Sequence, residues 1–286
     1  MEIIRTVSQM QAAAEKMRKR GRKIALVPTM GFLHKGHLSL MRRALGLADT
    51  LVVSLFVNPV QFGPNEDLDQ YPRDFEQDVV LARQTGVNIL FAPEKDSLYP
   101  DGFDTYVVQE KLPVHLCGLC RPEHFRGVLT IVAKLFNIVK PHVAVFGEKD
   151  FQQLAVIRRM VADLNFDIDI VGHAIVREDD GLAMSSRNAN LDGDGRKSAR
   201  VLSGSLRSAA KMVADGEARA GTVIKKATVM ILAESGTKID YVNICAPDTL
   251  DDLDVIDRPA LMAVAVKIGG VRLIDNIMLE PGQKNV

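Results

Sequence analysis

The side chains with most to offer chemically are His34 and His37, three apart with Gly36 between them, in the stretch from Lys23 to Leu40. A short apolar run, Ile24 to Val27, ends at Pro28. A turn with Gly31 and Gly36 follows, and Ser39, Leu40, Met41 and Ala44 then take up helical spacing. Strand, glycine turn and helix together aim backbone N–H groups at an anion. Imidazole donors beside such a helix start can hold the oxygens of a triphosphate and the charge that grows on them during a displacement. Glycines mark any tight turn, and two histidines with no carboxylate or thiol beside them make a poor metal set.

Four further stretches carry chemistry. Asn58-Pro59-Val60-Gln61-Phe62-Gly63-Pro64-Asn65 leaves the carboxyl end of a β-branched run, where open α/β sheets bind ligands. Gln61 offers both a donor and an acceptor to a small polar substrate; the same composition also describes an ordinary loop. Asp67, Asp69, Asp74 and Asp78 make the next stretch acidic, which suits either Mg²⁺ on a nucleotide or a solvated surface. Cys117 and Cys120 have the spacing of zinc ligands, and His115 and His124 flank them. The alternatives there are two small thiols, or Arg121 and His124 turned toward a phosphate or carboxylate. Gly147-Glu148-Lys149-Asp150 ends another strand: Lys149 is a compact cation for phosphate, and Asp150 suits a ribose hydroxyl or a helix cap. Finally, Met184-Ser185-Ser186-Arg187 places two hydroxyls and a guanidinium in succession, a phosphate-gripping loop in chemical terms.

These groups need a scaffold, and the pattern supplies one. The spacing predicts helices over Thr6–Arg20, from the histidine turn to about Leu47, and over Arg73–Thr85, Phe125–Val139 and Phe151–Leu164. Strands are predicted at Ile24–Val27, Thr50–Val57, Val87–Phe91, His142–Phe146, Ile168–Val171 and Ala174–Val176, with a short one at Tyr106–Val108. Alternating strands and helices imply a parallel sheet. Beyond Val176 the pattern changes to two helices, Gly193–Gly216 and Ala218–Ser235. Three strands follow, Lys238–Cys245, Leu261–Ile268 and Val271–Leu279, with Gly269-Gly270 as a hairpin turn. The fold class is therefore α/β: a Rossmann-like parallel-sheet domain over residues 1–176 and a small α+β domain over 177–286.

The 286 residues are 47% hydrophobic, enough for a substantial core, and the 36 basic residues balance the 36 acidic ones. That balance argues against a broad nucleic-acid surface. The longest apolar stretch, Val128 to Val139, is interrupted by Lys134 and too short to span a bilayer, so no membrane role is expected. Three cysteines and an N-terminus without a secretory leader fit a cytoplasmic protein.

The HKGH turn resembles the HxGH signature of the nucleotidylyl-transferase superfamily, and DGLAMSSRN resembles the mobile KMSKS-type loop of those enzymes, with Arg187 in place of the usual later lysine. PTMGFLHKGH, VNPVQF, RPEHFRGV and FGEKDFQQL, taken with that loop, closely resemble the pantoate–β-alanine ligase family over almost all of Lys23 to Arg187, more weakly beyond. The resemblance implies an ATP-dependent, AMP-forming condensation of pantoate with β-alanine through a pantoyl adenylate, with Mg²⁺, in a homodimer whose C-terminal domain is a lid.

It also implies roles for particular residues. His34 and His37 would contact phosphates and stabilise the transition state. Lys149, Ser185, Ser186 and Arg187 would grip the phosphates of ATP, and Gly147 and Asp150 would meet the ribose. Val176 and Met184 would complete the ATP set. Gln61 and Gln153 would hold pantoate, with Met30 at the junction of the two substrates. Asn58, Arg121 and His124 would shape the pocket, and Asp78 would sit near Mg²⁺. Two residues depart from the family pattern. Glu123 stands where glycine is usual, putting a negative charge between Arg121 and His124, and Phe32 stands where alanine is frequent. Two other readings share these residues: a nucleotidylyl transferase with a phosphate acceptor, and a non-enzymatic zinc or nucleotide-binding module resting on Cys117 and Cys120.

Overall fold

The structure, a computed structural model, describes residues 1–64 and 66–282. The chain divides into two compact units. The first comprises Met1–Gln109, Glu123–Glu148 and Val156–Val176; the second comprises Glu110–Pro122, Lys149–Ala155 and the chain from Arg177 onward.

In the first unit β1 (Glu2–Ile4) leads to α1 (Val7–Lys19), β2 (Ile24–Thr29), α2 (Lys35–Leu45), β3 (Thr50–Leu55), α3 (Phe75–Thr85), β4 (Ile89–Phe91) and the short α4 (Lys95–Leu98). After the four-residue α5 (Cys117–Cys120), which belongs to the second unit, come α6 (His124–Val139), β5 (Val143–Gly147), α7 (Phe151–Asp163), which passes from the second unit into the first at Val156, and β6 (Asp169–His173). The six strands form one sheet in the order β1-β4-β3-β2-β5-β6, with every pair parallel. The chain therefore winds outward from β2 to β4 and then returns to start again at β5. This places a topological switch point between β2 and β5, where doubly wound sheets bind ligands outside the carboxyl ends of the strands.

Buried apolar runs make these strands. Ala25, Val27, Leu51, Val53, Leu90, Val143 and Val145 pack with Met41 and Ala44 of α2 and Ala82 of α3. The alternate residues face the other way, and α1 packs against α6. Helix starts follow from local chemistry: Thr6 Oγ1 accepts from Gln9 N at 3.3 Å, and Asp74 Oδ1 accepts from Gln77 N at 3.0 Å. β2 runs through Pro28 to Thr29, further than its apolar run predicts. Its ladder to β5 ends at Leu26 while its ladder to β3 continues, so the missing proline N–H falls beyond the β5 pairing.

Three expectations are corrected here. Tyr106–Val108 is not a strand. Tyr99, Phe103 and Tyr106 stack edge-on in series, Arg126 of α6 lies over the Tyr106 ring at 3.5 Å, and Val107 N donates to Thr130 Oγ1, so the segment is fixed by side chains of α6 instead of a ladder. Ala174–Val176 continues past β6 without a strand partner. β1 was not foreseen: three residues next to a helix carry no period, and its pairing partner is β4, far along the chain. The loop predicted over Asn58–Asn65 holds a helical turn, Pro59–Gln61; Asn65 lies outside the described residues.

In the second unit α8 (Gly193–Ala214) starts behind Asp192, whose Oδ1 accepts from Gly195 N at 2.7 Å, and α9 (Ala220–Leu232) follows. These helices share a core with an antiparallel sheet of β7 (Thr237–Cys245), β8 (Ala260–Ile268) and β9 (Val271–Leu279), including Leu202, Leu206, Val223, Ile244, Val264 and Leu273. Gly269 and Gly270, with φ of +56° and +85°, make the β8–β9 turn, a backbone that other residues rarely adopt. Among the described residues no helix is long and apolar enough to cross a membrane.

Candidate functional site

The turn between β2 and α2 is built around its two histidines. His34 is the N-cap of α2, and its Nδ1 accepts from Gly36 N at 3.1 Å. His37, one turn in, reaches back so that its Nδ1 accepts from His34 N at 3.3 Å. Their rings lie 4.0 Å apart at a 32° tilt. A ring nitrogen that accepts a hydrogen bond carries no proton, so both rings are Nε2–H tautomers, with Nε2–H as their donor. The cap thus makes a pair of imidazole donors at the positive end of a helix and at the sheet's switch point.

The turn is held from below by Asp78. Its Oδ2 accepts from Phe32 N at 2.8 Å and its Oδ1 from Leu33 N at 2.6 Å. Burial raises its pKa, and those two backbone donors pull the other way. The side chain expected near Mg²⁺ thus has both oxygens on backbone N–H groups. Each oxygen is committed to the backbone, the residue is buried, and among the described residues no group of three or more His, Cys, Asp or Glu side chains is placed to hold a metal ion. Thr29 and Ser39 complete the frame. Thr29 Oγ1 donates to Ser54 O of β3, and Ser39 Oγ lies 2.6 Å from His173 Nε2 at the end of β6.

After β3, four expected residues come together. Asn58 Nδ2 donates to Gln61 Oε1 and to Gly127 O, both at 3.1 Å, and Gln61 Nε2 lies 3.2 Å from Met30 Sδ. His124 Nδ1 donates to Gln61 O at 2.9 Å. Gly127 makes this assembly possible. A Cβ there would lie 2.5 Å from Gln61 Cα and N, so α6 touches the backbone of the Pro59–Gln61 turn. A glycine inside a strongly apolar helix is the sequence signal for such a close approach. Gly147 and Val176, at the ends of β5 and of the first unit, are half-buried.

The second unit holds the remaining expected residues. Lys149 is half-buried and Asp150 exposed in the turn before α7, and the Lys149 carbonyl accepts from Asn276 Nδ2 at 2.9 Å. Gln153 is half-buried beside Gln152. Gln152 fastens the neighbouring loop, which the sequence did not announce. Its Oε1 accepts from Cys117 N at 2.9 Å, and its Nε2 donates to Leu112 O and His115 O at 3.0 and 2.7 Å. Arg121 follows directly, its N–H on Cys117 O at 2.9 Å.

Ser185 caps the helical turn Ser186–Asn190, its Oγ accepting from Arg187 N at 3.3 Å; Met184 and Arg187 are half-buried and Ser186 is buried. Around this turn lies an arginine–carboxylate frame that was also missed. Arg196 bonds Glu178 at 2.7 and 3.0 Å and Asp180 at 2.9 and 3.2 Å, and Asn188 Nδ2 donates to Glu178 Oε1. The Arg196 bonds hold the Glu178 carboxyl below its usual range. Arg177 grips the buried Asp275 with both nitrogens, at 2.7 and 3.0 Å.

The zinc spacing is not used as a site. His115 lies 3.8 Å from Asp251, His124 is bound to Gln61 O, and Cys117 Sγ lies 3.1 Å from Tyr241 Oη.

Among known proteins, the family model for pantoate-beta-alanine ligase matches residues 2–278. The chain belongs to the pantoate–β-alanine ligase family. Curated members similar to it include pantothenate synthetases of Desulfatibacillum aliphaticivorans, 58% identical over 98% of this chain and 100% of that protein, and of Geobacter sulfurreducens, 55% identical over 98% and 99%. Among solved structures, pantothenate synthetase of Thermus thermophilus has a TM-score of 0.93 at 43% identity, covering 98% of this chain and 100% of that one. The Francisella tularensis pantoate-beta-alanine ligase, complexed with beta-gamma ATP and beta-alanine, has a TM-score of 0.81 at 33% identity, covering 99% and 100%.

Within this ligase family the two departures of the chain have simple local accounts. Glu123 is exposed, and its Oε2 lies 3.3 Å from Arg126 Nη1, so its charge is paired along α6. Phe32 has φ +51° with its N–H on Asp78, so its backbone is set by the turn.

Proposed function

We infer that the protein is an AMP-forming acid–amine ligase that condenses pantoate with β-alanine to pantothenate at the expense of ATP, releasing AMP and pyrophosphate. Family membership over nearly the whole chain supports the reaction, and the reciprocal histidine cap at the switch point is the observation that carries its chemistry. In the first step the pantoate carboxylate attacks the α-phosphorus and the bond to the β-phosphate oxygen breaks. In the second, the β-alanine amine attacks the acyl carbon of pantoyl adenylate, AMP leaves with the acyl C–O electrons, and the amine proton goes to solvent. Such chemistry needs alignment and charge neutralisation more than covalent participation.

The roles follow from each group's donors. The Nε2–H groups of His34 and His37 donate to phosphate oxygens as charge shifts onto them. Because each Nδ1 is held by the backbone, both act as fixed donors and not as bases. Lys149, Ser185, Ser186 and Arg187 grip the triphosphate, with residues 177–286 serving as a lid. Gly147 and Asp150 meet the ribose, and Val176 and Met184 complete the ATP set. Asn58, Gln61, Gln153, Arg121 and His124 hold pantoate, with Met30 beside the reacting carboxylate. Magnesium enters on ATP, as part of the substrate. We further propose a homodimer, to be tested by sedimentation equilibrium, and a cytoplasmic, reducing setting, which the free state of all three cysteines suits.

The test mixes protein, MgATP, pantoate and β-alanine and follows AMP; AMP formation must depend on both acids. Exchange of labelled pyrophosphate into ATP must require pantoate and proceed without β-alanine. Exchange that needs β-alanine would exclude the adenylate route. Exchange supported by a phosphate-bearing acceptor in place of pantoate would favour the nucleotidylyl-transferase reading.

A further inference from the structure

The cysteine pair of the second unit is a chemical feature that the ligase reaction does not use. Of the three cysteines, Cys245 is wholly buried and burial pushes its thiol up to about 12, which makes it inert. Cys117 and Cys120 instead begin and end the single turn α5. Helix geometry puts the Cα atoms of residues three apart about 5 Å from one another, and disulfides join residues whose Cα atoms are roughly 4.4–6.8 Å apart. Side-chain rotation can therefore join them.

Their surroundings divide the labour. Cys120 is exposed and open to a reagent. Burial, with Asp240 nearby, pushes its thiol up, so its attack on a disulfide is slow and calls for excess reagent. Cys117 is buried, with Sγ 3.1 Å from Tyr241 Oη and 3.8 Å from Arg272 Nη2; the same guanidinium holds Asp240 at 2.7 Å. The thiolate is the form that attacks a disulfide.

The turn is also built to transmit a change. Its backbone is seated hard on its neighbours: a Cβ at Gly118 would lie 1.4 Å from Pro113 O, and Leu116 already sits at φ +44°. Gln152 holds Cys117 N and the carbonyls of Leu112 and His115. The residue after Gln152 is Gln153 and the residue after Cys120 is Arg121, both in the proposed pantoate set. Drawing the Cys117 sulfur away from Tyr241 and Arg272 therefore pulls on the segment that positions them.

We propose that Cys117 and Cys120 form a reversible dithiol–disulfide switch, oxidised by a small-molecule disulfide, whose closure lowers turnover. The Cys120 thiolate attacks glutathione disulfide, forming a mixed disulfide and releasing one glutathione. The Cys117 thiolate then attacks the Cys120 sulfur and displaces the second. Two protein thiols are oxidised as one glutathione disulfide is reduced to two thiols, and their two protons pass to the departing thiolates.

The full-length protein is incubated with glutathione disulfide, quenched by alkylation, and read by intact mass, peptide mapping and turnover. The expected result is loss of the mass of two hydrogens, mapped to a Cys117–Cys120 bond. Turnover should fall about tenfold or more, in line with the cost of small misplacements at a site, and be restored by dithiothreitol. Cys120→Ser should keep its turnover under the same treatment. A lasting glutathione adduct on Cys120 without the internal bond, an internal bond with unchanged turnover, or equal inactivation of Cys120→Ser would each overturn the proposal. The mass readout is independent of the ligase reading, which fails separately if the reduced protein makes no AMP.

Discussion

Replacing Asp78 by asparagine tests how the histidine turn is held. The carboxylate accepts from Phe32 N at 2.8 Å and Leu33 N at 2.6 Å, and an amide can accept only one of these. The other N–H then faces an NH₂ group. The loss of one hydrogen bond to a charged acceptor costs about 1.5–3 kcal/mol, and the stranded donor adds about 1–3 kcal/mol if the turn stays rigid. A turn under that load moves instead, and Leu33 is bonded directly to His34. A displacement near 1 Å costs roughly 100-fold in rate. Asp78→Asn should therefore lower kcat about 100-fold in the pantoate-dependent pyrophosphate exchange, and excess Mg²⁺ should not restore it. Rescue by Mg²⁺ would make Asp78 a metal ligand after all, and a kcat within about threefold of the parent would show that the clamp contributes less than one charged hydrogen bond. The substitution also has a pH signature. Burial raises the Asp78 pKa, so the folded protein holds that proton more tightly than the unfolded chain. This contribution is fully present below the unfolded value of about 3.9, and is lost as pH rises through the folded value. The parent's melting temperature should carry this loss and the variant's should not, so their difference changes across that acidic window and is flat above it.

Three other outcomes are expected. His37→Ala removes one Nε2–H donor and the reciprocal cap on His34 N, and should lower kcat by about 10- to 1000-fold while circular dichroism stays native; a near-normal rate would make His37 structural. Gly127→Ala drives a Cβ to 2.5 Å from the Gln61 backbone, so the turn must give way. It should cost about 1–3 kcal/mol and raise KM for pantoate well above any change in KM for ATP, measured by initial rates with each substrate varied; an unchanged pantoate KM would refute it. Arg177→Ala strands the buried Asp275 carboxylate and should lower stability by about 3–5 kcal/mol in denaturant melts, where a loss below about 1 kcal/mol would refute the reading.

What the sequence determined by itself was local, because its signals lie within a few residues. The apolar run, the glycine turn and the HKGH spacing announce a strand and a helix that starts at a pair of histidines. Gly269-Gly270 between two apolar runs announces a hairpin, and the ordered motifs from Lys23 to Arg187 announce the family. Tertiary structure decided what the turns are made of. Asp78 lies 45 and 46 residues from the N–H groups it holds, Gly127 lies 66 residues from Gln61, and Gln152 fastens a loop 35 to 40 residues away. It also grouped 110–122 and 149–155 with the C-terminal unit, where a boundary at Val176 had left them with the sheet. A carboxylate in an acidic stretch reads the same whether it faces a metal or a buried peptide N–H. Only the packing that removes water from around it makes those two donors its partners.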